Sequence, residues 1–402
     1  MSTRPARLHA APRADTGVAV AATSRLACRL AVTALFCCWL PPVYAGVLPD
    51  DRADALYHSY EGGGVEINGP SLMVLKKFGQ NVSVNGNYYV DSISSASIDV
   101  ITSGASPYTE SRTELSGGVD YLHGNSAMSL SYTNSSEGDY KANTAGFGIS
   151  MDMFGNLTTV SMGYSRGWDT VMNNLDSSFS RDADRQNYKL GLTQVLTKDM
   201  LLELNYEGVT DEGFLNNPYR SVRFLDPGGA SYSYQAEEYP NTRTSSAVAL
   251  RSLYYLPYRA AVSGEYRFFA DTWGIDAHTV KLGYTHPLKG GWTLEGSYRF
   301  YTQGAADFYS DLFPYQDAQN FLARDKELST FSSHSFGIKL SYDFMENGWR
   351  SVDKGTLNFA WDHILFNYDD FRDLRVATPI PGEEPLYSFS ADVVQLFVSV
   401  WF

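Results

Sequence analysis

The sequence predicts an all-β fold, a single antiparallel transmembrane β-barrel of about 14–16 strands with short periplasmic turns and long extracellular loops. Three observations predict it: an export-type leader, a dyad repeat of about ten residues, and a final strand that ends on an aromatic residue.

The leader comes first. Residues 1–30 carry Arg4, Arg7, Arg13, Arg25 and Arg29 against a single acid, Asp15. An uncharged apolar run of ten, "AVTALFCCWL" (31–40), follows. Pro41–Pro42 then breaks any helix, and Val43–Tyr44–Ala45 offers small residues at the two positions a signal peptidase inspects. This order reads as a secretory signal peptide cleaved near Ala45. The apolar run is too short to cross a bilayer as a helix, which needs about 20 residues. The expected organisation is a signal peptide at 1–45, an N-terminal periplasmic or lumen segment at 46–63, and the barrel at 64–402.

Cys28, Cys37 and Cys38, the three cysteines of the chain, all fall in the leader, so the mature chain is expected to carry no disulfide or thiolate chemistry. Of 31 basic and 45 acidic residues, 26 and 44 lie beyond residue 45, a formal charge of −18. Such acidity argues against a nucleic-acid partner. An export signal with no later apolar run near 18 residues leaves a soluble exported protein or a barrel, whose spans escape hydropathy scans. The 14% aromatic content, 28 tyrosines and 34 glycines suit interfacial girdles and tight turns.

Alternation carries the strands. In "WTLEGSYRFYT", Trp292, Leu294, Gly296, Tyr298 and Phe300 share one face, and Glu295, Ser297, Arg299 and Tyr301 the other. "FGIKLSYDF" sets Phe336, Ile338, Leu340, Tyr342 and Phe344 against Gly337, Lys339, Ser341 and Asp343. The same period opposes Val262, Tyr266 and Phe268 to Glu265 and Arg267, Leu202 and Leu204 to Glu203, and Val280 and Leu282 to Lys281. A soluble sandwich would turn the apolar face inward, whereas a membrane barrel turns it to lipid.

The turn rhythm favours the barrel. Short turns at 78–81, 123–125, 154–156, 197–199, 257–258 and 289–291 alternate with connections that are often long, at 98–112, 169–183, 211–240, 304–330 and 369–385. Fifteen strands are clear; because single-chain barrels have even numbers, 57–78 holds one strand or two, and sixteen is preferred. In the last ten residues, "VVQLFVSVWF", Val394, Leu396, Val398, Val400 and Phe402 alternate on one face. A closed barrel pairs its last strand with its first, so this strand can end in the wall without an open edge. The ending also resembles the terminal-strand signal read by the barrel assembly machinery.

Four stretches carry a family resemblance: "YYVDSISSASIDV" (88–100), "DEGFLNNPYRSVRFLDP" (211–227), "TSSAVALRSLYYLPYRAAVSGEYRFFADTWGI" (244–275) and "DFYSDLFPYQDAQNFLARDKELSTF" (307–331). With the strands between them they resemble the family catalogued as domain of unknown function 3570. The resemblance implies an outer-membrane barrel of Gram-negative bacteria and brings no activity or catalytic residue. Its association with neighbouring thioredoxin-like and flavin-transferase genes implies an envelope redox context.

Motifs for chemistry are weak. "GYSRG" (163–167) matches a hydrolase nucleophile elbow, but it sits inside an alternating strand instead of a strand-to-helix turn. By parity His278, His334 and His363 fall on the apolar face, which suits a membrane interface better than general-base catalysis. No histidine spacing suits zinc, and Asp176, Asp182 and Asp184 lack a calcium-loop pattern. The sequence therefore offers no catalytic, cofactor-binding or metal residue, and no cofactor or enzyme activity is expected.

The candidate functional residues are charges expected to line the lumen: Lys189, Glu203, Glu265, Arg267, Lys281, Glu295, Arg299, Lys339 and Asp343. Loops 211–240 and 304–330 are expected to offer a constriction through Arg220, Arg223, Asp307 and Asp311. The leading functional expectation is a pore or transporter for small polar or charged solutes. The alternatives are a structural or docking barrel for an unidentified envelope partner, and an outer-membrane enzyme. Expected partners are outer-membrane lipid and lipopolysaccharide and the assembly machinery.

Overall fold

A computed structural model of the protein describes residues 47–95, 108–345, 348 and 351–402; the leader, its cleavage near Ala45 and most of the 98–112 connection lie outside them. In chain order the strands are β1 (Arg52–Gly62), β2 (Val65–Phe78), β3 (Val82–Ser95), β4 (Tyr108–His123), β5 (Ser126–Ser136), β6 (Tyr140–Met153), β7 (Thr158–Met172), β8 (Ser180–Thr197) and β9 (Met200–Gly213). They continue as β10 (Ser221–Leu225), β11 (Tyr232–Ala236), β12 (Thr242–Tyr255), β13 (Ala261–Asp271), β14 (Asp276–Pro287), β15 (Trp292–Gln303), β16 (Phe331–Phe344), β17 (Lys354–Arg372) and β18 (Leu386–Trp401). Sixteen of these close into one antiparallel barrel, while β10 and β11 form a separate hairpin between β9 and β12.

Closure is made by β18 against β1, with Val398 opposite Ala55 and Leu396 opposite Tyr57. This corrects the expectation that 46–63 precedes the barrel and that the wall begins at 64. Residues 52–62 are the first strand, and 57–78 holds parts of two strands joined at Gly63–Gly64. Both of these glycines have positive φ, 59° and 79°, which lets the chain reverse in two residues. The apolar face of β1 is made of Ala53, Ala55 and Tyr57, too small a signal to stand out as a period.

Short turns join the strands at one end of the barrel; Gly290 and Gly291, for example, turn β14 into β15 with φ of 76° and 78°. At the other end long connections, 214–241, 304–330 and 373–385, share the rim with short ones at 137–139 and 272–275. The connection expected at 169–183 shrinks to 173–179, because β7 and β8 run on past the apolar belt.

Burial tells inside from outside. In a lone barrel only inward side chains can be covered by the rest of the chain. Val393, Gln395, Phe397 and Ser399 of β18 are buried, whereas the alternate residues Val394 and Leu396 are exposed. The same parity leaves Leu204, Val248, Tyr266, Leu282, Leu294, Ile338 and Phe359 exposed on neighbouring strands. The barrel thus wears a continuous apolar belt on its outer wall.

The belt has a repeated upper edge. Tyr132 donates to Asn143 at 2.8 Å and Tyr188 to Gln186 at 2.9 Å. Tyr266 bonds His278 at 2.8 Å, Tyr298 bonds His334 at 2.9 Å, and the Trp361 indole donates to Asp392 at 2.9 Å. Each ring lies along the apolar wall with its polar tip satisfied by a neighbour toward the long-loop rim, as an interfacial girdle requires. His363 joins the last of these at 2.9 Å from Asp392.

Candidate functional site

The inner wall divides into a wet and a dry half. On the wet half, β8 to β16, charges face inward and pair across strands. Glu207 lies 3.7 Å from Lys189 and 3.4 Å from Arg267, and also accepts from Asn187 at 2.9 Å. Arg251 meets Glu203 at 3.5 Å, and Lys339 meets Glu295 at 2.7 Å. The ladder places Glu265 opposite Lys281 and Lys281 opposite Arg299. Asp343 sits lower, on β16, where its backbone N–H closes the turn to Gly291. The Lys189 side chain keeps 65% of its surface accessible and Arg267 33%, so these pairs face water-accessible space. Glu207, which alternation puts on the same face as Glu203, and Arg251 complete the pairs, although neither is among the lumen charges named from the sequence.

On the dry half, β17 through β3, polar groups are packed instead. The His58 ring lies 2.7 Å from Asp91 and 3.1 Å from the Tyr89 hydroxyl, stacked 5.0 Å from the Tyr89 ring. Arg112 continues the row, donating to Ser135 and Glu114. Above it the inward face is apolar: Ile364, Ala391 and Val393 pack with Tyr60, Phe366 and Phe389. Histidine parity pointed to the outer face at 278, 334 and 363; His58 has the opposite parity on its strand, and only its register with Asp91's neighbours reveals it.

Over the long-loop end lies a cap built from three connections. The β10–β11 hairpin meets loop 304–330 through paired segments, Phe224 beside Phe313 and Glu238 beside Leu322. Val222, Phe313 and Leu322 are buried together there. A second cluster joins Tyr239, Trp273, Phe308 and Leu328 and rests on the inward Phe269. A third seats Phe371 and Tyr309 against Phe331, Tyr368, Tyr387 and the inward Tyr301 and Phe366. The cap therefore sits on the rings that line the upper lumen.

Its interior is ionic. Arg223, with no exposed surface, pairs with Asp311 from loop 304–330 and donates to Glu384 from loop 373–385 at 2.6 and 3.0 Å. Arg324 donates to the same Asp311 at 3.1 Å and to the Arg372 carbonyl at 3.0 Å. Arg220 pairs with Asp325, and Glu237 accepts from the Arg324 backbone N–H at 2.7 Å and from the Tyr239 hydroxyl at 2.6 Å. Charges so placed tolerate burial only because each is met by an opposite charge and several hydrogen bonds. Burial works to raise Glu384, but its bonds to Arg223 and to backbone N–H groups carry it below the ordinary carboxylate range. Burial pushes Glu237 the other way, up to about 7, with Arg220 opposing and Asp325 assisting.

Of the residues expected at a constriction, Arg220, Arg223 and Asp311 enter this network. Asp307 does not; it is exposed beside Gly274, and its backbone N–H bonds Trp273. Glu384, Arg324 and Glu237 complete the network.

Among the described residues, one carboxylate group has spacing suited to a metal. Oxygens of Glu110, Glu137 and Asp139 lie within 4.8 Å of one another at the rim, and Tyr219 donates to Asp139 at 2.7 Å. Ser165 of "GYSRG" lies mid-ladder in β7, between Gly146 and Asn187, so the strained turn of a nucleophile elbow is absent there.

The model of the family described as protein of unknown function (DUF3570) matches residues 98–189 and 173–353. The chain belongs to this family. Both the wet wall and most of the cap of this DUF3570 barrel lie within the matched residues. No curated protein sequence matches the chain. Among solved structures it is similar to a bacterial polysaccharide outer membrane secretin, with TM-score 0.47 and 8% identity over 87% of this chain and 98% of that one. It is also similar to the CymD monoaromatic hydrocarbon channel, with TM-score 0.43 and 9% identity over 89% and 90%. A Pseudomonas aeruginosa FadL homologue follows, with TM-score 0.41 and 8% identity over 88% and 91%. At these scores the similarities do not bear on what the DUF3570 chain binds or passes.

Proposed function

We propose that this DUF3570 protein is an outer-membrane pore or transporter for small polar or charged solutes, with its outer mouth closed at rest by the loop cap. The observation that carries this reading is the inner wall from β8 to β16, where charges are paired yet remain accessible to solvent. Sixteen strands leave room for an aqueous path, whereas smaller barrels fill with side chains. The apolar belt and its tyrosine–polar edge support placement in a bilayer.

A second reading, a docking barrel for an envelope partner, is favoured by the dry half-wall and by the tightness of the cap. Swelling of liposomes that contain the refolded protein separates the two. Uptake of small charged solutes supports a solute path. A correctly folded barrel whose liposomes never swell, with the cap intact or with loops 214–241 and 304–330 shortened, contradicts it.

A further inference from the structure

At mid-height on the wet wall, one ladder row carries Glu203 on β9, Arg251 on β12, Glu265 on β13 and Lys281 on β14, each directly opposite the next. The sign of charge alternates at every strand. Opposed side chains on one face of a sheet stand about 4.5–5.5 Å apart, so acid and base repeat at that interval around the wall. Arg251 meets Glu203 at 3.5 Å, whereas among the described residues no ion pair within 4.0 Å joins Glu265 to Lys281. All four side chains are half-buried on the lumen face.

The rest of this wall is balanced as well. Arg299 follows Lys281 on β15, and Glu265 and Asp362 supply the opposing charge, Asp362 from the row below. Lys189 and Arg267 share Glu207, and Lys339 meets Glu295. Charges of alternating sign cancel one another within about one repeat of the wall, so an ion of one sign in mid-lumen gains little from it. A solute with both signs held about one strand spacing apart, about 4.8 Å, gains a charge-assisted contact at each end.

We infer that the row from Glu203 to Lys281 is a contact strip for small zwitterionic solutes, with an ammonium seated on Glu265 and a carboxylate on Lys281, and that it favours them over ions of one sign. The inference deepens the pore reading and rests on it for its biological use; its test is binding, which does not depend on conductance. γ-Aminobutyrate, butyrate and n-butylammonium, which share one carbon skeleton, are compared by saturation-transfer NMR on the refolded full-length mature chain in uncharged micelles at low salt and pH 7. γ-Aminobutyrate should bind about tenfold more tightly than either single-ended analogue, the worth of one further charge-assisted contact. Glu265→Gln and Lys281→Gln should each remove that margin. Arg166→Gln, a charge loss on the outer wall, should leave it unchanged.

Wild-type binding of butyrate as tight as that of γ-aminobutyrate reduces the strip to an anion contact and overturns the inference. Equal binding of n-butylammonium, or no binding of any of the three, overturns it too. If either variant fails to fold, Glu265→Asp and Lys281→Arg, which keep both signs in place, should preserve the margin, and its loss in both overturns the assignment. A barrel that prefers the zwitterion but never passes solute supports the strip and contradicts the pore. A conducting barrel without this preference does the reverse.

Discussion

The guanidinium of Arg223 grips both carboxylate oxygens of Glu384, at 2.6 and 3.0 Å, across 161 residues of chain. The contact ties the β10–β11 hairpin to the connection between β17 and β18, and through Asp311 to loop 304–330 as well. Three loops that start from different hairpins thereby become one cap.

Arg223→Ala leaves Asp311 and Glu384 buried without their shared partner, a defect that costs about 3–5 kcal/mol. The barrel wall does not depend on that pair, so the cost falls on the cap. Limited proteolysis should cut within 214–241 and 304–330 in the variant and not in the wild type. The heat-modifiable barrel should persist in both.

Glu237 should make the cap pH-sensitive. A carboxyl held up at about 7 in the folded cap retains a proton that the unfolded loop releases near its ordinary value. The stability it contributes is complete below that ordinary value and is lost as pH rises toward 7. Protease protection of the loops should therefore decline between pH 5 and 8, and Glu237→Gln should flatten that decline. Glu384 is shifted downward, so its contribution disappears only in more acidic solution, below the ordinary carboxylate range.

The outer girdle makes a separate prediction. Tyr298→Phe removes the hydroxyl that bonds His334 at 2.9 Å and leaves an imidazole nitrogen at the edge of the apolar belt without that partner. The loss should be about 1 kcal/mol, the net worth of one hydrogen bond. Urea unfolding from lipid vesicles would measure it, and an equal loss in Tyr298→Phe and Tyr298→Phe/His334→Ala would show that the pair carries it.

What the sequence makes legible is whatever repeats locally. Alternation puts Phe336 and Ile338 on one face and Lys339 on the other, and "KGG" announces the turn between β14 and β15, because period and turn chemistry act over a few residues. The first strand is hard to see, since Ala53 and Ala55 give little contrast and Gly63–Gly64 leaves almost no loop to mark it. The cap is harder still. Arg223 has an identifiable place in an Arg- and Asp-rich loop, but its partners lie 88 and 161 residues away, and no spacing rule pairs them. His58 on β1 and Asp91 on β3 are joined across β2 by the register of two successive hairpins, which no sequence spacing shows.

The central claim is a hydrated path closed by an Arg223-latched cap, and single-channel recording in a planar bilayer tests it most directly. The account predicts brief or small openings for the wild type and sustained ion-conducting steps for Arg223→Ala. A folded, heat-modifiable Arg223→Ala barrel that stays electrically silent would contradict it.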